Sequence, residues 1–211
     1  MHQNSLLLFH KYAKRCFSAD QRVLEIGARI PSDYRLALGE VNLDWRYMDI
    51  GGAGLSSDNL EMLRTEKLDY AATDEYTFPI EDNTFDVVVS GQVLEHVRKV
   101  WIWMKEVARV TKPGGYVITI NPVSWPYHEA PVDCWRVYPE GMKALYDDAG
   151  LEVEFCAYEC LEVNARRIIP GIGRDSQTRK RRWMMSLAGT LGWPVEAAVD
   201  IITIGRKRQD A

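Results

Sequence analysis

A chain of 211 residues with 46% hydrophobic and 27% charged side chains has an ordinary globular composition, which excludes a disordered or fibrous protein. It is long enough to bury a full core and is most simply one domain, with a formal net charge of −4 and hence no overall basic excess. No apolar run approaches the roughly 20 residues a membrane-spanning helix needs, so no transmembrane segment is expected.

From the N-terminus, MHQNSLLLFHKYAKRCF carries a short apolar patch with no basic run before it and no small-residue cleavage site after it. It reads as an amphipathic first helix over residues 1–20. Arg22 to Ile26 then predicts a strand, followed by a helix near Ser32 to Gly39. A second strand runs from Asp44 to Met48 and ends at Asp49 and the loop Gly51-Gly52-Ala53-Gly54. A polar helix from Ser57 to Arg64 leads to a third strand at Leu68 to Thr73, and Phe85 to Ser90 is the fourth. The stretch Val97 to Thr111 places Val97, Val100, Trp101, Met104, Val107 and Ala108 at helical spacing, and Lys112-Pro113-Gly114-Gly115 supplies the breakers that stop it. A fifth strand follows at Tyr116 to Asn121. Pro139 opens a helix through Asp148, because proline is preorganised for the first helical position. Leu151 to Ala157 and Val199 to Gly205 are the last two strands. This alternation predicts a doubly wound, mostly parallel sheet.

Two of these strands carry the most information. Val23-Leu24-Glu25-Ile26 and Phe85-Asp86-Val87-Val88-Val89 are rich in Val and Ile, as in strands buried on both faces, and each ends abruptly in small or polar residues. In open α/β sheets ligands bind at the carboxyl ends of the strands. With Asp49 ending the second strand, these features outline a nucleotide-type pocket. The four cysteines, Cys16, Cys134, Cys156 and Cys160, lack paired metal spacing, so reduced thiols and a cytoplasmic location are expected.

Four blocks in order, VLEIGAR at 23–29, Asp49, TDEYTFPIEDNTFDVVVSGQVLEHV at 73–97 and VTKPGGYVITI at 110–120, make the chain resemble a class I S-adenosylmethionine-dependent methyltransferase of the type 11 group. The resemblance covers roughly Arg22 to Phe155 and the terminal strand. It implies a seven-stranded Rossmann-like sheet whose final strand is antiparallel beside the sixth. It also implies S-adenosyl-L-methionine as cofactor, with Glu25, Gly27 and Ala28 beside its amino-acid part. Asp49, with Ile50, would meet the ribose hydroxyls, where a carboxylate offers two acceptor oxygens. Asp74 and Glu75 would lie near the adenine, and Ser90, Gly91 and Gln92 along the floor under the methionine portion. Read alone, Asp49 is equally a solvated turn carboxylate. The first loop departs from the pattern, with Arg29 and Pro31 where the family usually has glycine; Arg29 keeps the backbone farther away and Pro31 removes an N–H. A non-binding descendant of the fold is the reading this departure leaves open. A dinucleotide fold would need G-x-G-x-x-G, which is absent, so hydride transfer is not expected.

Methyl transfer to an alcohol benefits from a base that works near neutral pH, which favours histidine. The chain has four: His2 and His10 in the first helix, His96 in VLEHV and His128 in NPVSWPYHEAPVDCWRVYPEG after the fifth strand. His128 with Asp133 as its orienting partner, and His96, are the candidate catalytic residues; Tyr127 and Arg136 are the candidate substrate contacts. Equally open is that His128, Asp133 and Arg136 only tie this loop to the helix at Pro139, and that His96 only packs at its helix. A metal would need a third ligand, for which Glu129 or Asp133 is available, and nothing in the spacing asks for one. Asn121-Pro122 follows the fifth strand rather than the fourth, which argues against a DNA base methyltransferase.

The segment RRIIPGIGRDSQTRKRRW at 166–183, inside an insertion expected over 162–197, concentrates basic residues in an otherwise acidic chain. A solvated insertion is the plain reading; a site for a phosphate-bearing or lipid-linked acceptor is the other. Trp183, Met184, Met185, Leu187 and Leu191 could pack on the domain or on a second copy as a homodimer. The sequence thus points to O-methylation of a sugar or other small polar metabolite. Carbon or nitrogen methylation and a non-catalytic binding protein on the same fold are the alternatives.

Overall fold

The computed structural model describes residues 3–27, 30–50, 68–129, 132–162, 187, 191 and 198–209. Ala28, Arg29, the Gly51–Gly54 loop, the expected helix from Ser57 to Arg64 and the basic run from Arg166 to Trp183 lie outside these residues. Seven strands, β1 (Arg22–Ile26), β2 (Asp44–Ile50), β3 (Tyr70–Ala72), β4 (Phe85–Gly91), β5 (Thr111–Ser124), β6 (Leu151–Glu159) and β7 (Val199–Lys207), form one sheet in the order β3-β2-β1-β4-β5-β7-β6. The first five run parallel, and β7 lies antiparallel between β5 and β6. The order reverses beside β1, between β1 and β4, so the carboxyl ends of these strands flank a crevice.

Alternate residues of the central strands feed two separate cores. Leu24, Ile26, Met48 and Val88 join the core that α3 (Val100–Val110) and α4 (Pro139–Asp148) close with Trp103, Met104, Val107, Met142 and Tyr146. On the other face Val23, Val87, Val89, Ile118 and Ile202 meet Leu8, Phe9 and Tyr34 from α1 (Gln3–Leu8), its continuation, and α2 (Asp33–Ala37). Burial on both faces is why these strands read as unbroken apolar runs. Ser32 caps α2, its hydroxyl accepting from the Arg35 N–H at 3.0 Å. Tyr146 anchors α4 to the sheet by donating to the Thr203 carbonyl at 3.2 Å and pairing with the Thr119 hydroxyl at 3.0 Å.

Three expectations need correction. The first helix is not uniform: after α1 the chain widens into a π turn at Phe9–Ala13 and tightens into a 3-10 turn at Lys14–Cys16. The long helix begins at Val100 rather than Val97, because Leu94–His96 form a separate 3-10 turn and Val97 is extended. At its other end the helix gives way at Thr111, which already pairs with Phe85. The Lys112–Gly115 stretch is taken up by a register shift in the β4–β5 pairing, so β5 is longer than the expected Tyr116 to Asn121. Among the described residues no helix is long and apolar enough to cross a membrane.

Candidate active site

The crevice at the ends of β1, β2 and β3 is lined by apolar Ile26, Met48, Ile50, Ala72, Phe78, Val93, Val97 and Trp103 and by the acidic Asp49, Asp74 and Glu75. At its base the chain leaves β1 through Gly27, at φ +72°, whose N–H donates to the Met48 carbonyl at 2.9 Å. A Cβ there would lie 2.2 Å from Cγ2 of Val93, so only glycine fits both the turn and the contact. Asp49 closes β2, and its Oδ1 accepts the Ile50 N–H at 2.7 Å. Burial holds its carboxyl above the ordinary range, with the Ile50 N–H opposing. Asp74 accepts the Tyr76 N–H at 2.6 Å, and Glu75 faces Arg98 at 3.5 Å. A largely apolar slot that also holds carboxylates suits a ligand that joins a flat ring to hydroxyl or amine donors.

The other expected floor residues divide. Ser90 is buried at the end of β4, and its hydroxyl has no hydrogen-bond partner among the described residues. Gly91 leaves room for Tyr34: a Cβ would meet the tyrosine hydroxyl at 2.0 Å. Gln92, at φ +59°, turns away from the expected floor, donating to Ser5 at 2.9 Å and to Asp200 at 3.1 Å and so fastening α1 to the sheet. Glu25 is also directed elsewhere: it accepts from the Trp45 indole at 2.8 Å, and burial pushes its carboxyl up to about 7.

A second group of side chains assembles at the end of β4. His96, from the 3-10 turn, and His128, from the loop after β5, meet edge to face with ring centroids 5.1 Å apart. Nδ1 of His96 donates to the Val132 carbonyl at 2.5 Å. Asp133 lies beneath His128: its Oδ2 accepts the His128 N–H at 2.9 Å and is 3.4 Å from Nδ1 of the ring. Arg136 grips both oxygens of Asp133, at 2.5 and 2.7 Å. Burial raises the Asp133 carboxyl, but the Arg136 bonds and the His128 N–H outweigh it and hold it below its usual value. Burial lowers the His128 imidazole, which favours its neutral form.

Arg136 also donates to the carbonyls of Trp135, Trp125 and Pro126. Its donors therefore go to protein oxygens, and it braces the loop rather than presenting a bare guanidinium to a substrate. Tyr127 is exposed and donates to Glu129 at 2.6 Å. His10 is exposed on the N-terminal segment, away from this group.

Glu95 is the member the sequence reading passed over. It is fully buried, and among the described residues no donor from another residue reaches either of its oxygens. His96 Nε2 is 3.8 Å from Oε1, too far for a hydrogen bond. Burial pushes this carboxyl up to about 8. Its signal in the sequence was an acid set between Leu94 and His96 in an otherwise apolar block.

A family model described as a methyltransferase domain matches residues 39–119. A SAM-dependent methyltransferase from Archaeoglobus fulgidus shares the fold, with a TM-score of 0.62 at 16% identity, over 96% of this chain and 92% of that one. The chain thus has the fold of class I methyltransferases, and its residues 39–119 match a methyltransferase domain. The sequence is 35% identical over 81 residues to ubiquinone biosynthesis O-methyltransferase of Sinorhizobium medicae, covering 35% of this chain and 33% of the relative. It is 29% identical over 105 residues to phosphoethanolamine N-methyltransferase 2 of Caenorhabditis elegans, covering 48% of this chain and 24% of the relative. The methyltransferase domain therefore spans about a quarter to a third of the length of the curated relatives it matches.

Proposed function

We propose that this protein is an S-adenosylmethionine-dependent methyltransferase acting on an oxygen of a small polar acceptor, such as a sugar. The observation that supports it best is the Asp49 carboxylate at the end of β2, lining a largely apolar slot with Ile26, Met48 and Val93. A carboxylate has acceptor capacity for two ribose hydroxyls, and the slot matches an adenine face. Ser90 and Gly91 would lie under the methionine portion, with Asp74, Glu75 and Ile50 around the ring. Bound there, the cofactor supplies an electrophilic methyl on a cationic sulfonium.

The chain's own work is to position the acceptor and remove its proton. His128, kept neutral by burial, accepts that proton, and Asp133 steadies the ring through Nδ1 and the charge it gains. His96 packs across the imidazole and fixes its plane. Tyr127, exposed on the loop, would touch the acceptor.

The relatives named above include an N- as well as an O-methyltransferase, so the screen has to admit both outcomes. Transfer of a labelled methyl group to sugars, phenols, amines and phosphorylated amines, with products identified by mass, tests the reading. O-methylated product supports it. Product on amines alone moves the activity to nitrogen, where His128 is dispensable, and cofactor binding without any product leaves a binding protein on this fold. A phosphate-bearing or lipid-linked acceptor would give the basic run at 166–182 a role; that run, the cytoplasmic location and a homodimer remain proposals of the same kind.

A further inference from the structure

Glu95, His96 and His128 each place one ligand atom within 4.8 Å of the other two. The chemistry of these atoms is one-sided. Nδ1 of His96 donates to a backbone carbonyl, and Nδ1 of His128 lies 3.3 Å from the Pro126 carbonyl and 3.4 Å from Asp133. A neutral imidazole whose Nδ1 holds the proton has a lone pair on Nε2. Glu95, once ionised, adds two further acceptors, fully buried and with no donor from another residue among those described. With Glu95 ionised, acceptors converge without a donor among them in the described residues, an arrangement that a bound cation stabilises.

We propose that Glu95, His96 and His128 bind a divalent transition-metal ion at the carboxyl end of β4. Two imidazoles and one carboxylate suit zinc, manganese, cobalt or iron better than the oxygen-only magnesium and calcium. Bonds of about 2.0–2.2 Å would draw the three ligands together by roughly 1 Å, a side-chain adjustment. The outer partners of such a site are already in place: the Val132 carbonyl on His96, and Asp133, clamped by Arg136, on His128. Glu95 is buried while His128 keeps 37% of its side chain exposed, so the ion would be held from below and keep an open position toward the loop. Three protein ligands and an open position are the pattern of a reactive rather than a structural ion. An acceptor hydroxyl at that position would ionise nearer neutrality, and the activation assigned above to His128 as a base would pass to the ion.

Metal binding is measured without reference to methyl transfer, so this inference stands or falls separately from the proposed activity. The full chain, stripped with chelator and dialysed, is titrated calorimetrically with zinc and with manganese, and cobalt loading is followed by visible absorption. One ion per chain is expected at micromolar or tighter affinity for zinc, weakened at least about tenfold in both Glu95→Gln and His128→Ala. Circular dichroism confirms that each variant is folded; if Glu95→Gln does not fold, His128→Ala carries the comparison, since that ring is partly exposed. No stoichiometric binding at hundreds of micromolar zinc overturns the proposal. So does undiminished binding in the folded variants, which would place the ion on other histidines or cysteines. Cofactor titration of the same preparation reports on the methyltransferase reading independently.

Discussion

His96 and His128 stand edge to face although one follows β4 and the other follows β5, so the parallel pairing of these two strands is what brings them together. Replacing His128 by alanine is expected to lower turnover by about 100-fold or more while leaving cofactor affinity within a few-fold, because the ring lies outside the slot that Asp49 borders. Steady-state rates beside calorimetric titration separate the two effects. Full turnover in the variant would mean that the ring does not accept the acceptor's proton.

Tyr34 and Gly91 make a second testable pair. The tyrosine hydroxyl is buried, has no hydrogen-bond partner among the described residues, and occupies the space a Gly91 side chain would need. Gly91→Ala should destabilise by about 1–3 kcal/mol through overpacking. Tyr34→Phe alone should be close to neutral, since it removes a buried group that makes no bond. In the double variant the cost should be clearly less than the sum, measurable as a coupling in urea unfolding.

Arg109 and Glu106 supply a pH-dependent element. Arg109 bonds Glu106 at 2.7 and 2.8 Å and also reaches the Phe78 and Ile80 carbonyls, tying α3 to the segment after β3. Burial raises the Glu106 carboxyl, but Arg109 and the Phe78 N–H outweigh it and leave it below its usual value. A folded value below the unfolded one of about 4.3 means stability that is present above that pH and lost as pH falls through the folded value. The melting-temperature advantage of the native chain over Glu106→Gln should therefore shrink on acidification below about pH 5. An advantage that stays flat down to pH 3 would contradict the assignment.

Met104, fully buried where α3 meets the sheet, tests the core. Met104→Ala should cost about 2–5 kcal/mol from lost burial and the cavity left behind, with an unchanged urea dependence. A loss under about 1 kcal/mol would mean that α3 is less tightly packed than its spacing suggests.

Much of this architecture was legible in the sequence because it rests on local rules. Val87, Val88 and Val89 announce a strand buried on both faces, and Pro139 marks the start of α4 to the residue. The side-chain directions at the site were not legible in the same way. Gln92 leaves the floor because its left-handed backbone turns it toward Asp200 and Ser5, contacts set by where α1 docks. Arg136 is absorbed by Asp133 and three carbonyls, a saturation that spacing does not reveal. Glu95 points inward because Leu94–His96 form a tight turn instead of opening the long helix.

The most direct test of the account is calorimetric titration of the full chain and of Asp49→Ala with S-adenosylmethionine and its demethylated product. Micromolar binding is expected, a free energy of about −8 kcal/mol, with at least about a tenfold loss in the variant as charge-assisted bonds to the ribose disappear. Absence of heat at millimolar ligand, confirmed by a second method, would contradict the account and leave the fold as a scaffold for another purpose.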